Sequence, residues 1–149
     1  MKYQKYQDYV IKDGEFVGDF EQMYQDHENP WRQQQENDKL DKKIIMLLCE
    51  GLMKNKGCSK LVDLGCGQGC FTHTLYSLGY EVLGIDISET AIKKAKVNFP
   101  NIVFKQGELF DSEIVSFKPD VIVDDYIQLI QNNQKYSNSK FHFLEYLIL

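Results

Sequence analysis

The sequence predicts an α/β fold, with a parallel sheet wound by helices on both faces. Three observations carry this expectation. From residue 60 onward, short runs rich in Val, Ile and Leu alternate with longer amphipathic stretches. The first run ends in a glycine cluster, "LVDLGCGQG" at residues 61–69, and the second, "YEVLGID", ends in an acidic residue. Strand–helix–strand alternation of this kind makes parallel βαβ units, whose right-handed crossovers place helices on the two sides of the sheet.

The elements follow in order. Residues 1–38 are polar, with tyrosine and glutamine in excess, and read as an N-terminal cap segment before a domain over 39–149. Within the cap, "DFEQMYQDHENPW" has helical character and ends in a turn at Asn29-Pro30. Residues 39–54 form a stronger helix, because Leu40, Ile44, Ile45, Leu47, Leu48 and Leu52 recur at spacings of three and four. Gly57 stops it. "KLVDL" reads as a buried strand, and "CFTHTLYSL" as a helix with Phe71, Leu75 and Leu78 inward, His73 opposite and Gly79 at its end. "YEVLGID" is the second strand. Ser88 caps a helix running to about Asn98, with Ala91, Ile92 and Ala95 inward and Pro100 beyond its end. "IVFKQ" is a third strand, "DVIVD" a fourth, and "SKFHFLEYLIL" a final apolar helix or strand.

The totals narrow the function. A chain of 149 residues is long enough for one domain with a substantial core. A net charge of −5 argues against nucleic acid as a general partner, since phosphate binding wants a basic face. No apolar run approaches the ~18 residues of a membrane span. The opening "MKYQKYQDYV" lacks the apolar core of a signal peptide. The four cysteines, Cys49, Cys58, Cys66 and Cys70, make no C-x-x-C pair. They read as free thilols of a cytoplasmic protein, with no metal site expected.

The glycines raise the functional question. In an open parallel sheet, ligands bind at the carboxyl ends of the strands. Glycine at a strand exit permits unusual dihedrals and leaves no Cβ between backbone and ligand. A dinucleotide site wants G-x-G-x-x-G, but Cys70 stands where the third glycine belongs. No Gly-Lys-Ser/Thr follows, so the turn is not a P-loop.

"VDLGCGQG", "VLGIDIS", "IVFKQGELF" and "FKPDVIVDDYIQLI", in this order and at this spacing, resemble the successive motifs of class I S-adenosylmethionine-dependent methyltransferases. The resemblance covers residues 60–130 and implies a Rossmann-like sheet of order 3-2-1-4 with S-adenosylmethionine as cofactor. It implies that Asp63 and the backbone of Gly65, Cys66 and Gly67 face the methionine end of the cofactor. Asp86 would accept from both ribose hydroxyls and Ile87 would pack on the adenine. Gly107 and Glu108 would reach the adenine edge, and Asp124 would lie near the sulfonium. Asp125 and Tyr126 become the candidate catalytic residues that contact the acceptor, with His27 and His142 weaker candidates. "ENPWRQ" is similar to the Asp-Pro-Trp turn of methyltransferases related to the nodulation N-methyltransferase, with Asn29 in place of the aspartate. By that resemblance Tyr24, Trp31 and Arg32 cap the cofactor, and Arg32 holds its carboxylate.

The chain departs from the seven-stranded pattern of such domains at its end. It is expected to be truncated after strand four, with that strand a bare edge on which two copies pair. Two function classes remain: a methyltransferase with a small-molecule acceptor, and a non-catalytic module that binds the cofactor or a partner without turnover. A nucleotide-dependent oxidoreductase is a third.

Overall fold

The computed structural model describes residues 2–32, 40–108, 112–124 and 142–144. The N-terminal segment opens with a 3-10 turn at Tyr6–Tyr9 and a two-stranded ribbon, β1 (Ile11–Lys12) and β2 (Glu15–Phe16). Asp13 and Gly14 join the strands with φ of 53° and 84°, the left-handed pair a tight hairpin requires. The Asp-Gly dipeptide was the signal for this ribbon, which the hydrophobic pattern alone does not suggest. Helix α1 (Phe20–Asp26) follows. Tyr9, Met23 and Tyr24 bury themselves against Ala91 of the main domain, with Tyr6 and Trp31 at the margin.

Helix α2 (Leu40–Lys56) leads into the sheet strands β3 (Lys60–Leu64), β4 (Glu81–Asp86), β5 (Val103–Gln106) and β6 (Val121–Asp124). Between them lie α3 (Cys70–Ser77), α4 (Glu89–Asn98) and α5 (Ser112–Phe117). With a further strand, β7 (His142–Leu144), these strands make a sheet whose pairings are all parallel, in the order β5-β4-β3-β6-β7. The first four positions are the expected 3-2-1-4 arrangement.

The fifth strand corrects an expectation. Strand β7 (His142–Leu144) pairs with β6 through Val121–His142, Ile122–Phe143 and Val123–Leu144. Strand four is therefore an interior strand and the outer edge is β7. The intervening residues 125–141 supply the dozen or more that a parallel return needs.

Side-chain alternation along β3 feeds two separate cores. Leu61 joins Ile45, Cys49, Phe71, Leu75, Val82, Val121 and Val123 under α2 and α3. Val62 and Leu64 join Leu83, Ile85, Ile122 and Ile114 of α5 on the other face. Helix α2 does not bury the face its periodicity suggests. Ile45 and Cys49 reach the core and Leu52 is partly buried, whereas Leu40, Ile44, Leu47 and Leu48 stay exposed. The line from 45 to 49 meets the strands, so Leu40 and Leu47 on the far side of the helix, and Ile44 and Leu48 on its flanks, face outward. Two polar ties fix the amino ends of the strands. The Asp120 carboxylate accepts from the N–H groups of Ser59 at 2.8 Å and Lys60 at 3.0 Å, and Tyr80 donates to the Cys49 carbonyl at 2.6 Å.

Phe104 of β5 lies beneath the glycine turn. A Cβ on Gly84 would stand 2.5 Å from the Phe104 ring, and one on Gly69 would stand 2.6 Å from it. These two glycines are there to admit that ring, with Cys66, Ile92 and Ile102 closing around it.

Candidate functional site

The carboxyl ends of β3, β4, β5 and β6 lie side by side, and of the sequence-predicted residues Asp63, Gly65, Cys66, Gly67, Asp86, Ile87, Gly107, Glu108 and Asp124 fall in or just after them. Register pairs Leu64 with Ile85 and Asp124, and Asp86 with Gln106. After β3 the chain turns with Gly65, Gly67 and Gly69 all at positive φ, 69°, 53° and 83°. Gly65 is exposed, whereas Gly67 and Gly69 are buried. The turn is stitched to the second strand: Cys66 N–H donates to the Ile85 carbonyl at 3.0 Å, and Gly67 N–H to the Asp86 carboxylate at 2.8 Å.

Asp86 is 7% exposed. Its Oδ2 accepts from Gly67 and its Oδ1 from Ser88 N–H at 2.8 Å. Burial pushes its carboxyl up; the two N–H bonds oppose this, and the nearby Glu21 charge adds to it. A carboxylate offers about four lone-pair positions, so two N–H donors leave acceptor capacity. Next to it Ile87 stands 55% exposed, an apolar side chain held out at the rim. Gly107 closes the neighbouring strand end by donating its N–H to the Asp86 carbonyl at 3.1 Å, and Glu108 is exposed beside it.

Asp63 is enclosed, at 2% exposure. Its Oδ2 accepts from the Thr72 hydroxyl at 2.5 Å. Burial raises its carboxyl to about 6 against the pull of Thr72 and Lys42, and the Asp124 and Asp86 charges push the same way as burial. Three carboxylates thus influence one another at this end of the sheet. Lys42 is the cation among them. It is 6% exposed on α2, with its ammonium 4.1 Å from the centre of the Phe71 ring. Nothing in the sequence marked it, because a lysine in a helix normally reads as solvated surface.

The N-terminal segment docks beside this rim through polar clamps that the sequence also hid. Glu21 binds Ser88 and Thr90 at the start of α4. Burial works to raise the Glu21 carboxyl, but these hydroxyl and N–H donors hold it down at about 2. The Lys94 ammonium donates to the carbonyls of Tyr24, His27 and Glu28 at 2.9, 3.3 and 3.2 Å. Gln68 of the glycine turn donates to the Glu28 carbonyl. Tyr24 is enclosed in its own cluster, Trp31 is half-buried edge-on to Tyr6, and Arg32 is exposed with φ of 50°. The segment thus lies at the carboxyl end of the sheet, while Tyr24 is occupied with packing. Asp125 and Tyr126, the candidate catalytic residues, lie outside the described residues. His142 falls within β7.

The donor set fits a cationic, phosphate-free cofactor. Carboxylates lie beside a glycine turn exposed at Gly65, and an apolar side chain stands next to a carboxylate that keeps acceptor capacity. A pyrophosphate would meet three like charges.

Fold and site together define a Rossmann-like α/β domain with its candidate ligand site at the strand ends. Residues 54–145 match the family described as "Methyltransferase domain". The chain belongs to this family of S-adenosylmethionine-dependent methyltransferases. It is 37% identical over 57 residues to a ubiquinone biosynthesis O-methyltransferase of Thiobacillus denitrificans, covering 38% of this chain and 23% of that one. It is 33% identical over 86 residues to a 23S rRNA (uracil(747)-C(5))-methyltransferase of Pyrococcus horikoshii, covering 55% of this chain and 19% of that one. The chain therefore spans less than a quarter of either relative. Among solved structures, monomeric WbdD superposes with a TM-score of 0.50 at 22% identity, over 57% of this chain and 22% of that one. Among the described residues, no helix is long and apolar enough to cross a membrane.

Proposed function

We propose that this domain binds S-adenosylmethionine across the carboxyl ends of β3, β4 and β6 and directs its methyl group to a small-molecule acceptor. The observation that carries the reading is the pairing of Asp86 with the glycine turn, with the exposed Ile87 at its side. The remaining lone pairs of Asp86 take the ribose diol, Ile87 packs on the adenine, and Gly107 and Glu108 border its edge. Asp63 and Asp124 set a negative field for the ammonium and sulfonium. The sulfonium supplies a methyl group on an already good leaving group. The protein's contribution is alignment and exclusion of water. Asp125 and Tyr126, which follow β6, are the residues placed by sequence to meet the acceptor. A base is needed only where the acceptor must lose a proton.

The small-molecule acceptor is supported by the net charge of −5, which disfavours a polyanion. It is also supported by the similarity of "ENPWRQ" to small-molecule enzymes, by which Trp31 and Arg32 close over the cofactor. The four buried free thiols fit a cytoplasmic, reducing setting.

Calorimetry with S-adenosylmethionine and with NAD tests the cofactor. Asp86→Ala should weaken S-adenosylmethionine by ~1–3 kcal/mol, and unchanged affinity rejects the assignment. A screen of small amines, hydroxyls and carboxylates with methyl-labelled cofactor tests turnover. Tight cofactor binding with no labelled product would favour a binding module over an enzyme.

A further inference from the structure

Glu21 lies in the first turn of α1, 67 residues before Ser88 in the chain, yet its carboxylate is saturated by donors. Oε2 accepts from the Ser88 hydroxyl at 2.6 Å and from Thr90 N–H at 3.1 Å. Oε1 accepts from the Thr90 hydroxyl at 2.6 Å and the Gln25 amide at 2.8 Å. The Ser88 hydroxyl is used twice, since it also accepts from Ala91 N–H at 3.0 Å as the cap of α4. Donating to Glu21 while accepting from Ala91 fixes its orientation. The same serine's N–H holds Oδ1 of Asp86, and Gly67 N–H holds Oδ2. A continuous chain of bonds thus runs from the N-terminal segment through Ser88 to the carboxylate at the end of β4. Ile87 sits between the two bonded residues.

We propose that Glu21 is a positioning residue for the ribose of the cofactor: by fixing Ser88 it sets the orientation of the Asp86 carboxylate. Glu21 touches no cofactor atom in this role. The N-terminal segment becomes a working part of the cofactor site rather than a cover laid over it. The inference rests on the function proposed above, and its test separates the two.

The probes are 5′-methylthioadenosine and its 2′,3′-dideoxy counterpart, which offers Asp86 no diol. Affinities are measured by calorimetry for the full chain and for Glu21→Gln, Thr90→Ala and Tyr9→Phe. Glu21→Gln keeps the size of the side chain but cannot accept four donors. Thr90→Ala removes one donor and leaves Glu21 in place. Tyr9→Phe disturbs the same segment through Asp26, away from Ser88. Glu21→Gln should weaken methylthioadenosine about fivefold, the loss of roughly one hydrogen bond. Thr90→Ala should weaken it less, and Tyr9→Phe not at all. The dideoxy ligand should bind the native protein and the Glu21 variant alike. Equal loss for both ligands, or equal loss in Tyr9→Phe, would show a general structural role and overturn the inference. So would native affinity in Glu21→Gln. A native chain that binds neither ligand nor S-adenosylmethionine overturns the functional reading itself, and this inference with it.

Discussion

Replacing Asp63 by asparagine should remove the pH dependence that this one carboxyl imposes on stability. In the folded chain burial holds the group near 6, against an ordinary value of 3.8, so folding favours its protonated form. The favourable contribution is complete below about pH 4 and is lost as pH rises through 6. A separation of about two units corresponds to roughly 3 kcal/mol between acid and neutral solution. Asparagine is neutral at every pH, and its carbonyl can still accept from Thr72. The stability difference between Asp63→Asn and the native chain should therefore grow by about 3 kcal/mol from pH 3 to pH 8. At 2–4 °C per kcal/mol for a domain of this size, that is a gain of about 6–12 °C in Tm relative to the native chain. Urea unfolding of both proteins across this range measures it, and titrating groups remote from Asp63 cancel in the difference. Parallel curves would refute the reasoning, because they would mean that the carboxylate ionises in the fold at no cost.

Other outcomes follow from the same geometry. Gly84→Ala drives a methyl group into the Phe104 ring and should cost about 1–3 kcal/mol, read by denaturant titration. Asp120→Ala removes the acceptor for Ser59 and Lys60 N–H and should cost about 1–2 kcal/mol, measured the same way. The Glu21 and Asp26 carboxyls are both held at about 2, Asp26 by the Tyr9 hydroxyl first and by Lys2 N–H second. Their contribution is present above the ordinary carboxylate range and is lost as pH falls toward 2. Trp31, the single tryptophan, should therefore report loosening of the N-terminal segment by fluorescence as the solution is acidified from pH 4.5. All four cysteines are buried, and burial pushes Cys49 up to about 12 and raises Cys66 and Cys70. The native protein should thus be almost inert to a thiol reagent at pH 7.5 and release four equivalents in denaturant.

The parts legible in the sequence were those decided within a few residues. The apolar runs at 60–64 and 121–124 formed interior strands, and Ser88 capped α4 by accepting from Ala91 N–H. The glycines of residues 65–69 took the left-handed turn they implied, and Gly57 and Gly79 ended their helices at positive φ. What escaped depends on juxtaposition across the chain. Glu21, Lys42 and Lys94 look like solvated charges until Ser88, Phe71 and the end of α1 arrive beside them. In α2 a spacing of three and four marked six apolar positions, but the sheet met only the line through Ile45 and Cys49. The strand at 142–144 was ambiguous because a short apolar run has no period of its own.

The ring of Phe104 ties three positions into one evolutionary unit. A larger residue at 84 or 69 is excluded while that ring is present, and trimming the ring alone would open a void under the turn. In diverging descendants these sites should drift as a set, each substitution tolerated only on the background of another. The shape of the glycine turn is in that sense inherited from a side chain that never reaches its surface.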